Sequence, residues 1–192
     1  KKVIMRLLIL FLIIPISLQA QNFKVSSAIE MEVIGTSTLH DWEMVSNEGM
    51  GSAVLTMEDG LLKDITSLSF KMKTETLKSG KSAMDKISYE SMKTDDHEYI
   101  TFTLNDIQTI DKKGSEYLIT GSGNLSIAGH KKAVKMNVIG MVSSGKITFT
   151  GEYKMKMTEY EIDPPTAMFG AIKTGDDLTI KYKVSYSSNS NF

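Results

Sequence analysis

Residues 146–157 read Lys146-Ile147-Thr148-Phe149-Thr150-Gly151-Glu152-Tyr153-Lys154-Met155-Lys156-Met157, and their alternation decides the fold class. Ile147, Phe149, Gly151, Tyr153, Met155 and Met157 fall on one side, with Thr148, Thr150, Glu152, Lys154 and Lys156 on the other. A repeat of two is that of a β-strand with one face in a core and one in water. The same repeat returns on both sides of this stretch. C-terminal to it come Leu178, Ile180, Tyr182, Val184 and Tyr186. N-terminal to it come Val134, Met136 and Val138, then Leu125 and Ile127 on the face of Gly121 and Gly123, then Ile100, Phe102 and Leu104. Leu68, Phe70 and Met72 follow, and finally Phe23, Val25, Ser27, Ile29, Met31 and Val33. Turn signals separate the runs at Asn47-Glu48-Gly49, Asp59-Gly60, Lys113-Gly114, Ser144-Gly145 and Gly175-Asp176. Strands with one wet face, joined by short turns, predict an antiparallel barrel or sandwich.

One segment departs from this repeat. In residues 82–93, Met84, Ile87, Ser91 and Met92 recur at helical spacing, and Ser82 with Asp85 has the form of a capping box. A single amphipathic helix is therefore predicted between two strands. The tail from Ser187 through Asn191 is small and polar and is expected to fray, with residues 188–192 outside the folded unit. No linker or repeat divides residues 21–187, which are read as one domain.

The N-terminus predicts where the protein works. Lys1, Lys2 and Arg6 precede an apolar run from Leu7 to Ile14, and Leu18-Gln19-Ala20 offers a small residue before Gln21. This order is that of a secretory signal peptide over residues 1–20, and its apolar run is shorter than the ~20 residues a membrane helix needs. The expected location is periplasmic or secreted, with no stable membrane span after cleavage. The chain carries 22 basic and 23 acidic residues, and residues 1–20 hold basic side chains but no acid, so the remainder is more acidic than the whole. That balance excludes nucleic acid as an expected partner. With no cysteine there is no disulfide, thiolate nucleophile or Cys–metal site.

Whether the interior is filled or hollow stays open at this point. Met31, Met72, Met136, Met155 and Met157 all fall on predicted inward faces, and methionine suits both an irregular core and a mobile apolar guest. An antiparallel barrel of about eight strands is wide enough to hold one small ligand. Gly121, Gly123 and Gly151 on inward faces would leave space or bend the strands.

Several segments, in order, resemble the YceI-like family of lipocalin-like, polyisoprenoid-binding periplasmic domains. They are Gly35-Thr36-Ser37-Thr38-Leu39-His40-Asp41-Trp42; the helix from Met84-Asp85-Lys86 through Tyr89-Glu90 to Met92-Lys93; and Tyr99-Ile100-Thr101-Phe102. Further along are Gly123-Asn124-Leu125-Ser126-Ile127-Ala128-Gly129 with Lys131 and Val134, and Lys156-Met157-Thr158 through Pro164-Pro165 and Gly170 to Asp177-Leu178-Thr179-Ile180. The resemblance spans about residues 23–185. It implies an all-β, lipocalin-like antiparallel barrel of about eight strands with one inserted helix. It also implies an elongated pocket for an isoprenoid or similar chain. Glu159-Tyr160-Glu161-Ile162-Asp163 stands where many relatives carry a basic–acidic element, and the Leu39-His40-Asp41-Trp42 run belongs to one branch, so the ligand's head group is not implied.

On this reading Phe70, Met72, Phe102, Leu125, Met136, Phe149, Met155 and Met157 are the expected ligand-binding lining. His40 and Trp42 are expected near an opening, and Met168 and Phe169 as a lid over the barrel end or a plug in its core. His40 has two readings, a contact to a polar head group or a structural bond to backbone. His130 is expected to be solvated in a turn, and Asp95-Asp96-His97-Glu98 lacks the spacing of a calcium loop, so no cation site is expected at His97. The three His lack the spacing of a metal site, and no Gly-x-Ser-x-Gly elbow is present, so neither metal nor catalysis is expected. Asp41 beside His40 mimics part of a triad, but neighbouring strand residues point to opposite faces. The function expected is to hold a polyisoprenoid or quinone-like lipid, for carriage or storage. The alternative is an envelope interaction or stress module with a filled barrel. No cofactor beyond such a lipid is expected, and a homodimer is compatible with the sequence.

Overall fold

The computed structural model describes residues 19–188. Ten strands form one sheet whose two long end strands meet. They are β1 (Gln19–Ser37), β2 (Trp42–Ser46), β3 (Met50–Glu58), β4 (Leu61–Lys73), β5 (Tyr99–Lys113), β6 (Glu116–Ile127), β7 (His130–Ser143), β8 (Lys146–Lys156), β9 (Thr166–Ala167) and β10 (Ile172–Ser188). Every pairing among them is antiparallel, and β1 against β10 closes the sheet through pairs such as Val33 with Ile180 and Met31 with Tyr182. β2 and β3 share the other edge of β1: Met31 pairs with Ser46, and Lys24 with Ser52. They are two halves of one stave, and the barrel has eight.

The all-β barrel predicted from alternation is thus what forms, with corrections at individual residues. Asn47-Glu48-Gly49 is a bend within one stave, not a turn between neighbours. It lies opposite a register shift between Val25 and Ile29 of β1, which leaves Ser27 exposed although alternation put it inside. Gly175-Asp176 is not a turn either. It lies within β10 at a second shift, where Gly175 passes so close to Thr36 that an added Cβ would lie 2.3 Å from its hydroxyl. The expected tail begins too early: Ser187 pairs with Lys24, and the Ser188 amide donates to the Gly145 carbonyl. Residues 189–192 lie outside the described residues, as do residues 1–18, so most of the expected signal segment is outside them too. Gln19 and Ala20, its last two residues, start β1 and pair with Met57 and Thr56.

Three hairpins turn on paired left-handed residues, the geometry that matches strand twist. They are Asp59-Gly60 (φ 50° and 74°), Ala128-Gly129 (49° and 80°) and Ser144-Gly145 (49° and 72°). The helix α1 covers Ser82–Ser91 and is joined to β4 by a short 3-10 turn at Thr74–Thr76. The expected capping box is absent because Lys81, not Ser82, is the N-cap. Asp85 instead reaches back before the helix, accepting from the Ser79 amide (2.8 Å) and hydroxyl (2.6 Å). Tyr89 ties the helix to the strand end by donating to the carbonyls of Leu77 (2.7 Å) and Glu75 (3.0 Å).

One end of the barrel is packed solid. Phe23, Ala53, Leu55, Leu62, Tyr117 and Ile147 are all buried there, and the Tyr117 hydroxyl accepts from the Leu62 amide at 3.1 Å. Toward α1 a second, smaller buried cluster forms from Ile127, Met155, Met157, Tyr160 and Ile162.

Candidate functional site: an apolar chamber and its mouth

Many inward-facing apolar residues of the middle staves are only half-buried, among them Met31, Val33, Phe102, Leu104, Ile107, Met136 and Val138. In a filled core such positions would be sealed, because protein interiors pack to crystal density. Here they face an inner chamber of about 160 Å³. Beyond it, under α1 and the segment 157–174, lies a vestibule of about 420 Å³. Val33, Leu77, Ile100, Ile127 and Ile180 border both, so the two voids adjoin. The vestibule alone falls in the ≈ 300–1,000 Å³ range of ligand pockets.

The lining is predominantly apolar in both voids. No charged side chain borders the inner chamber, whose few polar groups include the phenols of Tyr153, Tyr182 and Tyr186. The vestibule is bordered by one lysine (Lys81) and one histidine (His40), and by no carboxylate. Burial pushes the phenols of Tyr182 and Tyr186 well above the ordinary tyrosine value, so both stay neutral. Tyr186 donates to the Ser69 carbonyl at 3.0 Å, whereas the Tyr182 hydroxyl is buried with no hydrogen-bond partner and lies against Gly151. Among the described residues no group of three or more His, Asp or Glu converges where a metal could be held. The inner chamber is neutral and apolar and can hold a hydrocarbon chain, while Lys81, His40 and hydroxyls such as Ser37, Ser88 and Ser91 border the vestibule.

The twelve residues singled out from sequence separate into three places. Phe70, Met72, Phe102, Leu125, Met136 and Phe149 border the inner chamber. His40, Trp42, Met155, Met157 and Met168 border the vestibule. Phe169 borders neither: it is fully exposed, in a left-handed conformation (φ 56°), and cannot serve as a plug. Met168 reaches the vestibule only as part of its outer rim. The Trp42 ring lies across Gly35 of β1, where an added Cβ would be 2.2 Å from it, and its Nε1–H donates to the Thr36 carbonyl at 2.9 Å. His40 Nδ1 donates to the Asp41 carbonyl at 2.6 Å, and the residue borders the mouth.

The other histidines are better placed than expected. His130 is not solvated in a turn; it opens β7, with Nδ1 3.3 Å from a Glu161 carboxylate oxygen. His97 lies beneath Gly129, whose missing Cβ makes room for the imidazole. Sequence reasoning passed over the helix as part of the site, yet Met84, Ile87 and Met92 form one side of the vestibule. Their helical spacing was the available signal. Ile162 was missed as well, because it sits in irregular backbone with no repeat to read, and so was Ile172, which opens β10 ahead of the alternation that starts at Leu178.

Comparison with known proteins follows this geometry. A family model described as a YceI-like domain matches residues 18–186. No curated protein matches the chain. Among solved structures, a polyisoprenoid-binding domain from Saccharophagus degradans, implicated in plant cell wall breakdown, superposes with a TM-score of 0.65 at 10% identity, over 88% of this chain and 99% of that one. BcnA from Burkholderia cenocepacia gives 0.61 at 15% identity, over 82% and 95%. The YCEI protein of Campylobacter jejuni gives 0.56 at 21% identity, over 75% and 85%. At these identities the likeness is one of fold.

Proposed function

The chain belongs to the YceI-like family, and from that premise we propose that it is a binding protein, not an enzyme, that holds one long apolar lipid inside its barrel. The single observation that carries this reading is the joined chamber and vestibule, bordered mainly by apolar side chains and, among the described residues, by no carboxylate. Binding is driven by removal of hydrocarbon from water, roughly 0.8 kcal/mol per buried CH₂ before ordering costs. A polyisoprenoid or the tail of a quinone-like lipid has the required shape and chemistry, and one structural neighbour is a polyisoprenoid-binding domain. Carriage or storage outside the cytoplasm fits the signal-like N-terminus, and among the described residues no helix is long and apolar enough to cross a membrane.

The test is native mass spectrometry of the protein isolated from its own host's envelope without stripping detergent, followed by denaturing analysis of the released material. The expected result is a stoichiometric adduct that leaves as an isoprenoid or quinone-like lipid, on a polypeptide starting near Gln21. A bare mass would overturn the carrier reading in favour of a barrel that acts through its outer surface.

A further inference from the structure

The three most exposed large apolar side chains among the described residues are Phe169 (111% of its reference exposure), Met168 (71%) and Leu39 (66%). They come from two loops that are stitched together. The Thr38 amide donates to the Lys173 carbonyl (3.0 Å) and the Lys173 amide donates to the Thr38 hydroxyl (3.1 Å), while within the second loop the Ala171 amide donates to the Met168 carbonyl (3.2 Å). Leu39 and Met168 also border the vestibule, so the cluster is the rim of the cavity mouth.

The backbone holds this display against its own preference. Met168 (φ 52°) and Phe169 (φ 56°) are both left-handed, a region that residues with a Cβ avoid. Turning Phe169 outward buries none of its ring. A pocket for an insoluble chain must be loaded from a phase that dissolves such chains, and apolar side chains standing proud of the mouth would enter that phase first. Among the described residues Lys81 is the sole formally charged side chain bordering the vestibule itself, and lysine suits lipid phosphates; Asp41 and Glu43 lie beside it on the outer surface.

We propose that this rim docks on the surface of a phospholipid bilayer, with Leu39, Met168 and Phe169 entering the interface and the vestibule opening toward the acyl chains. Docking stands on the rim alone; its use for loading rests on the carrier reading above.

The experiment is flotation of the mature chain with phosphatidylethanolamine–phosphatidylglycerol vesicles, comparing it with a Phe169→Asn variant, since Phe169 borders neither void. Asparagine tolerates the left-handed backbone, so the variant loses apolar surface without losing its turn. Retention of farnesol, added without vesicles, is measured alongside. The expected result is that the parent floats, that partitioning of the variant falls about tenfold or more, and that both retain farnesol equally. A parent that does not float, or a variant that floats as well as the parent, overturns the docking proposal. Failure of the parent to retain farnesol while it still floats overturns the carrier reading and leaves docking standing. Concentration-dependent dimerisation that the variant abolishes, with no flotation by either, overturns the bilayer in favour of a second copy of this chain.

Discussion

Gly123 lies under the Phe102 ring: a Cβ placed there would sit 2.4 Å from Phe102 Cζ and 2.7 Å from the Thr103 carbonyl oxygen. The ring can turn aside, but the carbonyl belongs to the ladder and cannot. Gly123→Ala should therefore cost about 1–3 kcal/mol, as overpacking does, read as a lower urea midpoint with unchanged slope. Two tyrosines make a second comparison. The Tyr117 hydroxyl satisfies the buried Leu62 amide, so Tyr117→Phe should cost about 1–3 kcal/mol by orphaning that donor. Tyr182 offers its hydroxyl to nothing, and Tyr182→Phe should be neutral or stabilising. Equal losses for the two would contradict this assignment. Neither contrast was legible in the sequence, where Tyr182 read only as one more inward residue of an alternating strand. The difference arises from tertiary placement: strand register sets Tyr182 opposite Gly151, while the Tyr117 side chain reaches Leu62 on a strand it does not pair with.

Helix α1 shows what a local pattern can and cannot specify. Its spacing placed the element, but the capping partner lay outside the pattern, since Asp85 bonds Ser79 and not the helix start. Partial burial pushes the Asp85 carboxyl up, but bonds from the Ser79 hydroxyl and amide, with Lys78 nearby, outweigh this and hold it below its ordinary value of 3.8. A carboxyl depressed on folding contributes stability that is present above its unfolded value and is lost as pH falls through the folded one. Docking of α1 should accordingly loosen below about pH 4, seen as faster exchange of the helix amides. Asp85→Asn should exchange faster at neutral pH and show no further acceleration from this group in acid. An acid response identical to the parent's would place the titrating group elsewhere. The turns were legible for the opposite reason: Asp59-Gly60 and Ser144-Gly145 carry their left-handed geometry in their own side chains. Asn47-Glu48-Gly49 carries similar residues but meets a bulge in β1, so the same composition became a bend.

At the scale of the molecule, alternation along 146–157 and 178–186 was enough to predict staves with one apolar face, and the family resemblance to predict a barrel. Closure was not legible from alternation, because pairing Val33 with Ile180 joins residues far apart in the chain. The void was not legible either, since a methionine such as Met136 reads the same whether it fills a core or borders a chamber. One substitution separates these states by the sign of its effect. Val138 borders the inner chamber and is half-buried. In a filled barrel Val138→Phe would overpack and cost about 1–3 kcal/mol. In the barrel described here the added ring enters empty apolar space, so stability should hold or rise while the room for a chain shrinks. The expected outcome is a melting temperature at or above the parent's, together with loss of the stabilisation that lipid confers on the parent. That stabilisation is about 2.7 kcal/mol at a ligand concentration of 100 Kd. A large drop in stability without ligand would mean the chamber is closed in solution, and the mouth would then lead nowhere.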